Sequence, residues 1–185
     1  MDSALFQNAE TLLAGCYNLK ELSWNISRWY SADAYPGFGD GSSAPRISLD
    51  LKFPLLQSLH SVIENVEDAA LEVFHDMANR IDAPKLRSLI IEGSPYGTEL
   101  RWMGLLLRRN PQLQELRISY FSLKESDYWE DFFTPLTELK TLIISRVSPP
   151  NEFLQSIFPS SRDSETVLRY LPNLDRFVIE WLHQG

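Results

Sequence analysis

Apolar residues recur along the chain in a short phrase, Leu-x-x-Leu-x-Ile, each copy a few residues after a stretch with helical spacing. The clearest copies are Leu86-x-x-Leu89-x-Ile91, Leu113-x-x-Leu116-x-Ile118 and Leu139-x-x-Leu142-x-Ile144. Leu174-x-x-Phe177-x-Ile179 and Leu19-x-x-Leu22-x-Trp24 are looser, and Leu56-x-x-Leu59 is weaker still, with Ser61 in the third apolar place. The later apolar residues of each phrase alternate with others, the period of two that turns one set of strand residues to a core. Between phrases, Leu5, Ala9, Leu12 and Leu13 share one helical face, as do Ala70, Phe74, Met77 and Ile81, and again Leu100, Met103 and Leu107. Ser126 heads a short helix through Trp129, Phe132 and Phe133, and another runs through Val167, Tyr170 and Leu171. Pro54, Pro84, Pro111 and Pro172 each stand two residues before the first Leu of a phrase, where a missing amide donor ends a helix and turns the chain into a strand. The phrase at Leu139 has Thr137 at that offset.

The first Leu of each phrase falls at positions 19, 56, 86, 113, 139 and 174, with the shortest intervals 26 and 27 residues. Those match a leucine-rich repeat of the longer, helix-containing kind, roughly 20–29 residues. A unit of this kind cannot bury its own apolar face, so copies must stack. The expected fold is therefore α/β: a leucine-rich-repeat solenoid of about six irregular repeats, with a parallel sheet on the concave face and helices on the convex face. One domain covers 1–185, with loop insertions near 31–45, rich in Gly, Ser, Pro and Asp, and near 148–163.

The residues on the sheet face opposite the helices then form columns. The first is Glu21, Ser58, Ser88, Glu115, Thr141, Arg176; the middle is Ser23, His60, Ile90, Arg117, Ile143, Val178; the third is Asn25, Val62, Glu92, Ser119, Ser145, Glu180. Ile90, Ile143 and Val178 stand out, because a water-facing position has no need of a β-branched aliphatic. Six strands at about 4.8 Å make a wall roughly 24 Å wide. Its area falls short of the roughly 800 Å² per partner of a standard interface, so loops after the strands must contribute. The candidate partner-binding residues are Ile90, Arg117, Ile143 and Val178, with the aromatic Tyr120 and Phe121.

Composition narrows the function classes. The apolar fraction of 44% and charged fraction of 23% are those of an ordinary globular domain. A net charge of −8 argues against nucleic-acid binding, and no apolar run is long enough to span a membrane. Nothing after Met1 reads as a signal peptide, so the expected location is intracellular, cytoplasmic or nuclear. Cys16 is the single cysteine and is expected to pack as a small apolar residue. His60, His75 and His183 belong to different repeats with no metal-ligand spacing, and Gly37 to Gly41 lacks the lysine of a phosphate loop. No catalytic residue, metal or cofactor is expected, and an enzyme is not the reading the residues favour.

The segments APKLRSLIIEG, NPQLQELRISYFSL and LPNLDRFVIEW resemble leucine-rich repeats of F-box proteins, in particular the large, divergent F-box/leucine-rich-repeat family of mushroom-forming fungi; ribonuclease-inhibitor-like repeats are similar. The resemblance spans nearly the whole chain. It implies a protein-interaction module that recruits substrates to a ubiquitin ligase through an amino-terminal F-box bound to the Skp1 adaptor. The F-box pattern itself, Leu-Pro and an acidic residue before helices, is not present; Leu171-Pro172 is the only Leu-Pro and lies in the last repeat. The chain is thus expected to be a fragment, a truncated gene product or a repeat-only relative, with Skp1 a partner only through an F-box outside it. A stand-alone repeat scaffold or inhibitor with no ligase role is the alternative. Repeats without caps at either end are expected to self-associate.

Overall fold

The structure, a computed structural model, describes residues 13, 15–27, 51–64, 80–93, 103–120, 132–146 and 171–180. Six of its strands are β1 (Glu21–Ser27), β3 (Ser58–Glu64), β5 (Ser88–Glu92), β6 (Glu115–Ser119), β7 (Thr141–Ser145) and β8 (Arg176–Glu180). They form one sheet in the order β1-β3-β5-β6-β7-β8, so each strand pairs with the next of the six along the chain, always in parallel. A second, two-stranded parallel sheet joins β2 (Leu51–Lys52) to β4 (Ile81–Asp82). A helix, α1 (Met103–Arg109), lies between β5 and β6 and carries Arg108 and Arg109 in its last turn, where cations face the negative end of the dipole. The fold is α/β, and its large sheet is wholly parallel.

Each of the six phrases supplies one strand of the large sheet, preceded by the same turn. The amide of the first Leu donates to the carbonyl three residues back: Leu19 to Cys16, Leu56 to Phe53, Leu86 to Ala83, Leu113 to Asn110, Leu139 to Leu136 and Leu174 to Leu171, all at 2.9–3.2 Å. The matched prolines occupy the second position of this turn, where their fixed φ is already correct and no amide is needed. The residue opening the turn is itself core: Phe53, Ala83, Leu136 and Leu171 are buried, as is Asn110.

A second device locks the register. The carbonyl of Lys20 accepts from both Gln57 and Ser58; that of Gln57 from Arg87 and Ser88; that of Arg87 from Gln114 and Glu115. Gln114 does the same for Lys140 and Thr141, and Lys140 for Asp175 and Arg176. The ladder therefore starts at an equivalent residue in every strand.

The core is a single cluster on one face of the sheet. Leu59, Leu89, Leu116 and Leu142 form one buried row across the inner strands, and Ile91, Ile118 and Ile144 continue beside it. Against them pack the turn residues, Leu51 and Ile81 of the small sheet, Leu106 and Leu107 of α1, and the edge-to-face pair Phe132 and Phe133. Burial on this scale is the main favourable term, at about 25 cal/mol per Å². Leu22, Trp24 and Phe177, on the outermost strands, are only partly buried, and Cys16 packs against the cluster among apolar neighbours.

Two helix boundaries differ from the sequence pattern. Ile81 fits the helical spacing from Ala70, yet it lies in β4, paired with Leu51 and fully buried. A buried residue at a helix exit satisfies the same spacing as one more helical turn, and the amide of Phe53 donating to the Asp82 carbonyl at 2.8 Å fixes the extended choice. Leu171 opens the last turn and is not helical. Leu5, Ala9 and Leu12 of the first expected helix, most of that over 70–81, Leu100, Ser126 and both loop insertions lie outside the described residues.

The weak phrase also has a physical cause. Ser61 is 1% exposed and pairs with Trp24 on β1; the indole Nε1 donates to its Oγ at 2.6 Å. A small residue opposite the largest one keeps the volume of the row, and the hydroxyl satisfies the indole. Ile63, two residues further and fully buried, restores the apolar contact.

Candidate interaction surface

On the face opposite the core, the three columns stand in the register written above. Ser23, His60, Ile90, Arg117, Ile143 and Val178 are successive partners across the six strands. Four of the six candidate residues thus lie side by side. Ile90, Arg117 and Val178 are half-buried, whereas Ile143 is only 7% exposed and offers little surface. Phe121 lies outside the described residues.

Arg117 reaches beyond its own strand. Its Nη2 donates to Glu180 Oε2 at 3.2 Å, although Glu180 stands two strands away and one row along. The guanidinium stem must therefore cross β7, over the row that holds Ile143 and Ser145. Ser145, 3% exposed, donates its hydroxyl to the same carboxylate oxygen at 2.6 Å. That bond, with the positive charges of Arg117 and Arg176, holds the Glu180 carboxyl below the ordinary glutamate value against the opposing push of desolvation. The result is a carboxylate fixed between a hydroxyl and an arginine on the rim of the candidate surface. Sequence columns contained all three residues, but only the diagonal Arg117–Glu180 step, visible once the register is fixed, connects them.

Tyr120 follows β6, and Arg146 follows β7, at equivalent places. Both have left-handed backbones, with φ of 61° and 58°. Their amides extend the ladder one residue past the strands, Tyr120 to the Ser145 carbonyl at 3.2 Å and Arg146 to the Glu180 carbonyl at 2.7 Å. The Arg146 guanidinium sits 4.7 Å from the centre of the Tyr120 ring, a cation–π contact that orients the tyrosine. Arg146 was not legible from sequence as part of this surface; its position directly after Ser145 was the available signal.

Elsewhere on this face, His60 Nε2 lies 3.3 Å from Glu92 Oε1, close enough for an ion pair if the imidazole is protonated, but outside hydrogen-bond alignment. Ser88 donates to Glu115 at 3.4 Å. Among the described residues no three His, Cys, Asp or Glu side chains gather as metal ligands, and no helix is long and apolar enough to cross a membrane. His75 and His183 lie outside those residues.

A separate feature lies at the N-terminal ends of the strands. There the turns and the first ladder residues enclose an open cleft of about 580 Å³, lined by Gln57, Lys85, Arg87, Gln112, Gln114 and Glu138. Gln112 Nε2 donates to the Ala83 carbonyl and to Asn110 Oδ1, both at 3.4 Å.

Compared with protein-family models, with curated proteins and with solved structures, the chain matches none.

Proposed function

We propose that the chain is a leucine-rich-repeat solenoid serving as a non-enzymatic protein-interaction module, the substrate-recruiting part of an F-box-type protein. The observation that carries this reading is the columnar register: residues from six distant phrases stand side by side on a sheet face that the core does not use. Such a face accumulates recognition residues one per strand, and here it presents Ile90 and Val178 beside the fixed Arg117–Glu180 pair. Apolar anchors flanked by an oriented charged pair suit a protein partner, the apolar groups supplying affinity and the charges register. Tyr120, oriented by Arg146, extends the contact beyond the strands.

Paired substitution tests the reading. Ile90→Asp with Arg117→Glu abolishes capture of the partner, while the circular-dichroism spectrum stays that of the folded chain because neither residue is core. Unchanged capture by that folded double variant sinks the assignment. Ile143 is left alone, since a carboxylate at a site 7% exposed perturbs the fold itself. Skp1 co-purifying with the natural full-length protein supports the ligase role; a specific partner without Skp1 points to the scaffold or inhibitor.

A further inference from the structure

The N-terminal ends of the strands carry a row of long polar residues, one per strand: Lys20, Gln57, Arg87, Gln114 and Lys140. Their backbones are tied into the double-acceptor ladder, so the row is as regular as the sheet itself. All but half-buried Gln114 are exposed. Cations alternate with amides along it, and Lys85 adds a further cation beside Arg87 in the cleft. In a chain of net charge −8, this row has three cations and no anion before Asp175 ends it at β8. Among the described residues none of Lys20, Lys85, Arg87 or Lys140 is held in an ion pair.

We propose that this row and its cleft bind an acidic, proline-rich segment of a partner protein, lying across the strands in the polyproline II conformation. Spacing selects the ligand. Lys20, Arg87 and Lys140 are each two strands apart, about 9.6 Å at the usual strand separation. A polyproline II helix advances about 3.1 Å per residue with three residues per turn, so acidic side chains at every third residue recur on one face every 9.3 Å or so. An extended β-strand, with its period of two, would turn alternate members of such a series away. The intervening Gln57 and Gln114 match the other need of this ligand, whose backbone carbonyls have no internal partner and accept hydrogen bonds from side-chain amides. Glu138, which also borders the cleft, disfavours a ligand of unbroken negative charge. The inference goes beyond the partner surface described above and uses none of its residues.

The probe is a fluorescent synthetic peptide of repeated Glu-Pro-Pro, measured by anisotropy against the full chain. Controls are a peptide of the same composition with all glutamates in one block, its Lys-Pro-Pro counterpart, and oligothymidylate. Saturable binding of the Glu-Pro-Pro peptide is expected, weakening as salt is raised. Arg87→Glu and, separately, Lys140→Glu weaken it about tenfold, more than the loss of one exposed ion pair because the charge is reversed. The double variant Ile90→Asp/Arg117→Glu leaves it unchanged, which separates this surface from the outer face. Circular dichroism verifies each fold, and the two single variants on different strands guard against one local disruption. The proposal is overturned if the blocked peptide or the oligonucleotide binds as tightly, if both reversals bind as wild type, or if no saturable binding occurs.

Discussion

Glu180 is a residue whose chemistry the fold alters. Its carboxyl titrates below the ordinary glutamate value chiefly because Ser145 donates to it, with Arg117 and Arg176 contributing by charge. A depressed folded-state value means the carboxylate stabilises the fold above the unfolded-state titration, and that contribution is lost as pH falls through the folded-state one. An NMR titration of the Glu180 side-chain carbon is therefore expected to show a midpoint below that of an unstructured glutamate. Ser145→Ala moves the midpoint up, and so does Arg117→Ala. An unchanged midpoint in Ser145→Ala contradicts the arrangement. Asn110 is a residue of another kind, a polar side chain 1% exposed inside the apolar cluster. Its amide caps α1 by donating to the Leu106 carbonyl at 2.7 Å while its own backbone carbonyl accepts from Leu113. Asn110→Ala leaves a buried carbonyl without a partner, and the urea midpoint is expected to fall by the equivalent of about 1–3 kcal/mol. Periodicity could not reveal either role, since it marks which residues are apolar and is silent on which polar ones are buried.

At the scale of elements, the turn before each strand is the unit that repeats most faithfully. Proline fits its second position in the turns opened by Phe53, Ala83, Asn110 and Leu171, and Thr137 holds the same place in the turn opened by Leu136. Thr137 is exposed, and its carbonyl, which proline would keep, accepts from Asn173 Nδ2 at 2.7 Å. Thr137→Pro is expected to stabilise the chain by about 0.4–1 kcal/mol through the unfolded state, read as a higher thermal midpoint. A lower midpoint would mean that the Leu136 turn has a different backbone from its counterparts. The strands and their order were legible because the phrase, its spacing and the prolines agree on one register. Ile81 was not, because a helix exit and a short buried strand present the same apolar residue at the same interval. Nor was Ser61, whose substitution for an apolar residue makes sense only beside Trp24, thirty-seven residues away in the chain.

For the molecule as a whole, one geometric fact underlies every functional statement: phrases far apart in sequence are brought into columns by in-register parallel pairing. The columns written from sequence coincide with the observed pairs, from Glu21 opposite Ser58 to Ser145 opposite Glu180. Exposure within them was less legible: Ile143 is 7% exposed beside half-buried Ile90 and Val178, and Arg117 reaches as far as Glu180, neither of which alternation along a strand encodes. The most direct test is a distance across the whole first column. With Cys16→Ser to remove the native thiol, spin labels placed by Glu21→Cys and Arg176→Cys, both exposed, report the width of the sheet by electron–electron double resonance. Five strand spacings predict a narrow distribution near 24 Å, broadened only by the labels' own reach. A broad distribution without a component near that separation would contradict the columns, and with them both proposed surfaces.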